Sequence, residues 1–191
     1  MTKIDEEFDK KLKGLKEYVA LATVDAKEYQ QTNLNMIKHL TDKGIPGLYV
    51  TLNKPYKTME SVFKKQKIDT RLMIFIDAVT ETSGGNIEKT NQCLYIGSPE
   101  NLSDISISMD QAVRSLPSEE RFVFFDSLST LLIYNDVNTV SRFIHFLAGK
   151  MRVWKVQGII VSLRKKKDDE LIDALTQFCD VMLDFDEGKK K

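Results

Sequence analysis

The run Phe122-Val-Phe-Phe125 holds four apolar residues without a polar interruption and stops at Asp126, followed by Ser127. A strand with one wet face alternates polar and apolar residues, so an unbroken run reads as a strand buried on both faces. Such a strand needs helices on either side of its sheet, and this one stretch already points to a three-layer α/β fold. An ionised Asp at the end of a buried strand is expensive to hide, which puts it in a polar crevice or gives it a partner. In open α/β sheets the carboxyl end of the strands is where ligands bind. Two readings of Asp126 stand at this point: a residue that holds a Mg²⁺ ion, or one that caps the next turn.

The rest of the chain repeats the pattern. Tyr18–Ala22, Leu48–Leu52, Leu72–Ile76, Cys93–Ile96, Gly158–Leu163 and Val181–Phe185 are further apolar runs of strand length, the Cys93 run a short one at a sheet edge. Between them apolar residues recur at spacings of three and four, the signature of a helix with one buried face. The stripes are Leu34, Ile37 and Leu40; Met59, Val62 and Phe63; Leu102, Ile105, Met109, Val113 and Leu116; Val140, Phe143, Ile144, Leu147 and Met151; and Leu171, Ile172, Leu175 and Phe178. Gly44 and Pro117 supply helix stops. The first strand, its helix and the second strand form a βαβ unit, expected to be right-handed with parallel strands. The polar stretch 80–90, with Gly84-Gly85 inside it, reads as a mobile loop. The sum is one α/β domain with a mostly parallel central sheet: a helix over 1–16, a core over 17–186 and a basic tail over 187–191.

Composition narrows the function classes. Hydrophobic residues make up 42% of the 191, so the chain is globular. Lys+Arg and Asp+Glu are both 28, a net charge of zero. That argues against a dedicated nucleic-acid binder and removes a barrier to self-association. Two cysteines without CxxC spacing, Cys93 and Cys179, read as buried thiols rather than a zinc site. His39 and His145 lie in helical patterns with no metal-ligand spacing. A charged N-terminus and the lack of any membrane-length apolar run predict a cytoplasmic chain without membrane insertion. Trp154 is expected at a helix–strand junction, and Phe122, Phe124, Phe125, Phe143 and Phe146 in the core.

A nucleotide hydrolase of this architecture cradles phosphate on a glycine-rich turn after the first strand, in the pattern GxxxxGK[ST]. Here Ala22-Thr-Val-Asp-Ala-Lys-Glu-Tyr-Gln-Gln-Thr32 contains no glycine, and Asp25 and Glu28 repel phosphate. Arg164-Lys-Lys-Lys167 follows a central strand, and Lys54, Lys57, Lys64, Lys65 and Lys67 follow the second. Either reads as a solvated run or as an anion or nucleic-acid contact.

Three segments carry a family resemblance: Leu48-Tyr-Val-Thr-Leu-Asn-Lys-Pro55, Phe122-Val-Phe-Phe-Asp-Ser-Leu-Ser-Thr-Leu-Leu132 and Gly158-Ile-Ile-Val-Ser-Leu163. They resemble the second strand, the Walker B strand and the sensor strand of the RecA/KaiC superfamily of ATPase domains. Within it the chain is similar to archaeal RecA-like proteins with a degenerate P-loop, over roughly 17–186. The resemblance implies a RecA-type core, ATP with Mg²⁺, and ring or filament assembly. Asp126 falls on the family's Mg²⁺ position. The P-loop Lys-Ser/Thr pair would fall at Tyr29-Gln30 or Gln30-Gln31, and the catalytic glutamate's place is taken by Asn53-Lys54. These departures imply a catalytically inactive homologue acting as a regulatory or scaffold protein, with protein partners that include its own copies. The alternatives are a nucleotide-binding switch or a nucleic-acid accessory protein. The switch would hold ATP and Mg²⁺ through Asp126, Ser127, Lys27, Gln30, Gln31, Thr32 and Arg164.

Overall fold

A computed structural model describes residues 3–165 and 168–185. The basic tail, with Lys166 and Lys167 of the second basic run, lies outside these described residues. The described residues form fourteen elements. Helix α1 (Lys3–Leu12) precedes β1 (Tyr18–Val24), α2 (Tyr29–Thr41), β2 (Gly47–Thr51), α3 (Tyr56–Lys65) and β3 (Met73–Asp77). Then come β4 (Cys93–Tyr95), α4 (Leu102–Ser115), β5 (Phe122–Asp126), α5 (Leu128–Tyr134) and α6 (Val137–Trp154). The described chain ends with β6 (Gln157–Leu163), α7 (Asp169–Thr176) and β7 (Val181–Phe185).

The seven strands form one sheet in the order β4-β3-β2-β5-β6-β1-β7. All six ladders are parallel. Because successive side chains point to opposite faces, each central strand feeds two cores. Val123 and Phe125 of β5 join Leu48, Val50 and Ile160 under α4, α5, α6 and α7. Phe122 and Phe124 join Tyr49, Phe75 and Ile159 under α1, α2 and α3. The unbroken apolar run is thus the consequence of a strand with no wet side. Each fully buried Phe is worth about 1.5–3 kcal/mol in transfer terms.

Close packing shows at the amino ends of the same strands. Gly47 stands opposite Phe122 in the ladder, and a Cβ there would sit 2.2 Å from the Phe122 ring. Helix ends follow backbone logic too: Gly14 and Gly44 adopt φ of +82° and +72° just beyond α1 and α2.

The expectations differ from the structure in a few places. β1 runs on to Val24, and α2 begins three residues before Thr32. The apolar stretch after Asp126 is a short helix, α5. Phe146, assigned to the core, is 49% exposed: α6 buries Phe143, Ile144 and Leu147, and a residue on the opposite side of the helix cannot join them. Cys93 is buried, whereas Cys179 is only half-buried. Burial pushes the Cys93 thiol up to about 12 and the Cys179 thiol up to about 11. Among the described residues no helix is long and apolar enough to cross a membrane.

Candidate functional site

The sheet order fixes where a crevice can open. The chain leaves β2 toward the face covered by α3 and leaves the adjacent β5 toward the opposite face, into α5. Outward-diverging connections from neighbouring parallel strands leave a gap at their carboxyl ends. Asn53 follows β2 at this gap, Asp126 closes β5, and the first turn of α2 lies across from both.

Asp126 is 4% exposed. Its Oδ2 accepts the hydroxyl of Tyr49, at 2.5 Å, from the adjacent strand. Its Oδ1 accepts the hydroxyl of Tyr29 and, at 2.8 Å, the amide Nδ2 of Asn53. Tyr29 opens α2, and Tyr49 sits two residues before Thr51, the residue paired with Asp126 in the ladder. A tyrosine buried inside a central strand must find a partner for its hydroxyl, and Asp126 is that partner.

The donors are themselves fixed. Asn53 Nδ2 lies 3.1 Å from the Tyr29 oxygen, and Thr130 donates to Asn53 Oδ1. Ser127 stands 3.3 Å from Thr130. Asn33 is 4% exposed and lines the same cavity, its Oδ1 buried without a hydrogen-bond partner among the described residues. Burial raises the carboxyl of Asp126 above its ordinary value of 3.8, against the three donors, which lower it. Burial likewise pushes both phenols up, and the Asp126 charge adds to it.

The cavity beside Asp126 is narrow. Tyr29, Asn33, Leu34, Met59 and Phe63 line it, with about 30 Å³ open to the centres of water molecules. That is room for a water or two. Lys54 bridges its rim by donating to Gln30 at 3.0 Å.

Of the seven residues expected to hold a nucleotide, only Asp126 and Ser127 belong to this network, joined by Asn53 from the place of the catalytic glutamate. Gln30 lies at the rim; Gln31 is exposed and donates to Asn35, and Thr32 is buried in the first turn of α2. Lys27 is exposed on the β1–α2 turn, its backbone N–H taken by Asp25 Oδ1 at 2.9 Å. Arg164 is turned away, donating to Asp184 on β7 and to Thr23 on β1. Sequence reasoning gave no role to Tyr49, Asn33 or Thr130 and treated Tyr29 as a mere alignment position. The one available signal was a tyrosine in a strand with no wet face.

Solved structures share the fold. KaiC-like protein PH0186 from the hyperthermophilic archaeon Pyrococcus horikoshii OT3 is 14% identical, with a TM-score of 0.61 over 91% of this chain and 74% of that one. The uncharacterized protein PH0321 from Pyrococcus horikoshii, solved in complex with an unknown peptide, is 13% identical. Its TM-score is 0.65 over 94% of this chain and 82% of that one. Among curated proteins none matches. A family model described as "Family of unknown function (DUF7504)" matches residues 48–185, well over half the chain, and the chain belongs to that family.

Proposed function

We propose that this chain is a non-catalytic relative of the RecA/KaiC-type ATPase domains and works by binding other proteins, copies of itself included. One observation carries the reading: three protein side chains donate to the Asp126 carboxylate, and the residue in the place of a catalytic base, Asn53, is one of them. An amide that donates to the aspartate cannot take a proton from water.

The residues present do not fit a magnesium nucleotide. On the β1–α2 turn, the N–H groups of Lys27 and Glu28 are spent on Asp25. Among the described residues, none between Val24 and Gln31 adopts a positive φ. A phosphate cradle needs several free N–H groups converging on one point.

The partner side rests on surface character. The net charge is zero, and Ile133, Val137 and Val153 are large apolar residues in the open. The structural neighbour PH0321 was crystallised with a peptide. Lys57 and Arg164 each lie beside a carboxylate, which offsets part of their charge.

The test is phosphate release from ATP with Mg²⁺, alongside sedimentation velocity over a wide protein range. No turnover, no thermal stabilisation at millimolar nucleotide, and concentration-dependent association are expected. Steady phosphate release abolished by Asp126→Asn would sink the reading.

A further inference from the structure

We propose that Tyr29 is a resident plug on Asp126, held on the carboxylate oxygen nearest solvent, and that this phenol shuts the strand end to a divalent cation. The inference rests on the non-catalytic reading and names what closes the site. The two carboxylate oxygens differ. Oδ2 lies beneath, on Tyr49, which is fully buried. Oδ1 faces the half-buried Tyr29 and the exposed Asn53, so any ion arriving from the crevice would meet Oδ1 first.

Three features make the phenol a plug rather than a passing contact. First, the groups aimed at Oδ1 are an O–H and an N–H, whose positive ends point at the place a cation would take. Second, the Tyr29 oxygen is also held by Asn53 Nδ2 at 3.1 Å, so it cannot swing out without stripping a partner from that amide. Third, the Glu28 side chain makes no capping bond to α2. The Tyr29 hydroxyl then ties the first turn of that helix to β5, and helix position and plug are one contact. Magnesium demands near-octahedral oxygen ligation at about 2.0–2.1 Å, and Oδ1, which already accepts two donors, has no lone pair left to offer it.

The experiment uses Mn²⁺ alone as the probe, read by electron paramagnetic resonance and water-proton relaxation. Wild type, Tyr29→Ser, Tyr29→Phe and Tyr29→Ser with Asp126→Asn are compared, each checked for folding by circular dichroism. Wild type is expected to leave Mn²⁺ free. Tyr29→Ser should bind about one ion per chain at least tenfold more tightly, and the added Asp126→Asn should abolish that gain. Tyr29→Phe keeps the ring and removes the hydroxyl, so it decides the matter if the serine variant does not fold; a smaller gain is expected. Folded Tyr29 variants that bind no more Mn²⁺ than wild type would overturn the plug while leaving the non-catalytic reading intact. Wild-type binding lost in Asp126→Asn would overturn it as well. Phosphate release by wild type would instead strike the underlying reading.

Discussion

Two aspartates end the strands on either side of β2 at the same level, and they are satisfied in opposite ways. Asp77 closes β3 and Asp126 closes β5; each is the ladder partner of Thr51 on the strand between them. Both are buried. Asp77 accepts the backbone N–H groups of Tyr56 at 2.7 Å, Val79 at 2.7 Å and Thr80 at 2.9 Å, and the Thr80 hydroxyl at 2.6 Å. Three of its four donors are main chain. Asp126 is held by three side chains from α2, β2 and the β2–α3 turn. Backbone donors cannot be exchanged by substitution, whereas side-chain donors can. Asp77 is part of how the chain turns, and Asp126 is a strand-end position whose surroundings are free to change.

The comparison breaks most sharply at Asp77. Asp77→Ala leaves four donors without an acceptor, three of them buried and that of Val79 half-buried, at about 1–3 kcal/mol for each buried one when nothing replaces it. A loss on the order of 4 kcal/mol is expected in urea unfolding, with the start of α3 and the turn after β3 exchanging amide hydrogens fastest. A loss below about 1 kcal/mol would show that the turn carries itself and that the two aspartates do not differ in kind.

Next in size is Tyr49→Phe. The ring stacks on Phe124 at 5.3 Å between centroids and stays fully buried, so only the bond to Asp126 Oδ2 is lost. About 1–2 kcal/mol is expected, because water cannot reach the orphaned lone pair. Tyr29→Phe should cost less, about 0.5–1 kcal/mol, since its side of the network borders the crevice. Equal losses for the two would mean that the inner and outer oxygens of Asp126 are not distinct environments.

The strand side of this picture was legible in the sequence, and the site was legible only at one residue. Phe122–Phe125 announced a doubly buried strand because burial on both faces removes the need for alternation. The helix stripe on α6 was equally plain, yet it did not say that Phe146, next to Leu147 and close to Phe143, would be left outside. Adjacent apolar residues on a helix cannot all face one core. The start of α2 was missed because Tyr29-Gln-Gln carries no apolar period and Glu28 gives no capping signal. Asp126 stood out by its place at a strand end. Its partners did not, because Tyr29 and Tyr49 lie 97 and 77 positions away along the chain. Contacts of that separation depend on strand order, which local periodicity does not encode.

The smallest effect at neutral pH, and the most specific, belongs to Asp126→Asn. Burial raises this carboxyl above 3.8 in the folded protein. A group whose folded value is raised keeps its proton in the native state after the unfolded chain has released it, so stability falls as pH rises through that window. The contribution is fully present below 3.8 and gone above the folded value. Asparagine cannot titrate, so the variant lacks this slope and should lie within about 1 kcal/mol of wild type near pH 7. The overall profile will not reveal it. Asp110, drawn down by the Arg114 hydrogen bond, gives stability that rises with pH and opposes the trend. The difference between wild type and Asp126→Asn isolates the one site: it should move against wild type as pH climbs from about 4. A flat difference would mean that the three side-chain donors hold Asp126 as fully as the backbone holds Asp77, and the distinction between the two strand ends would fall with it.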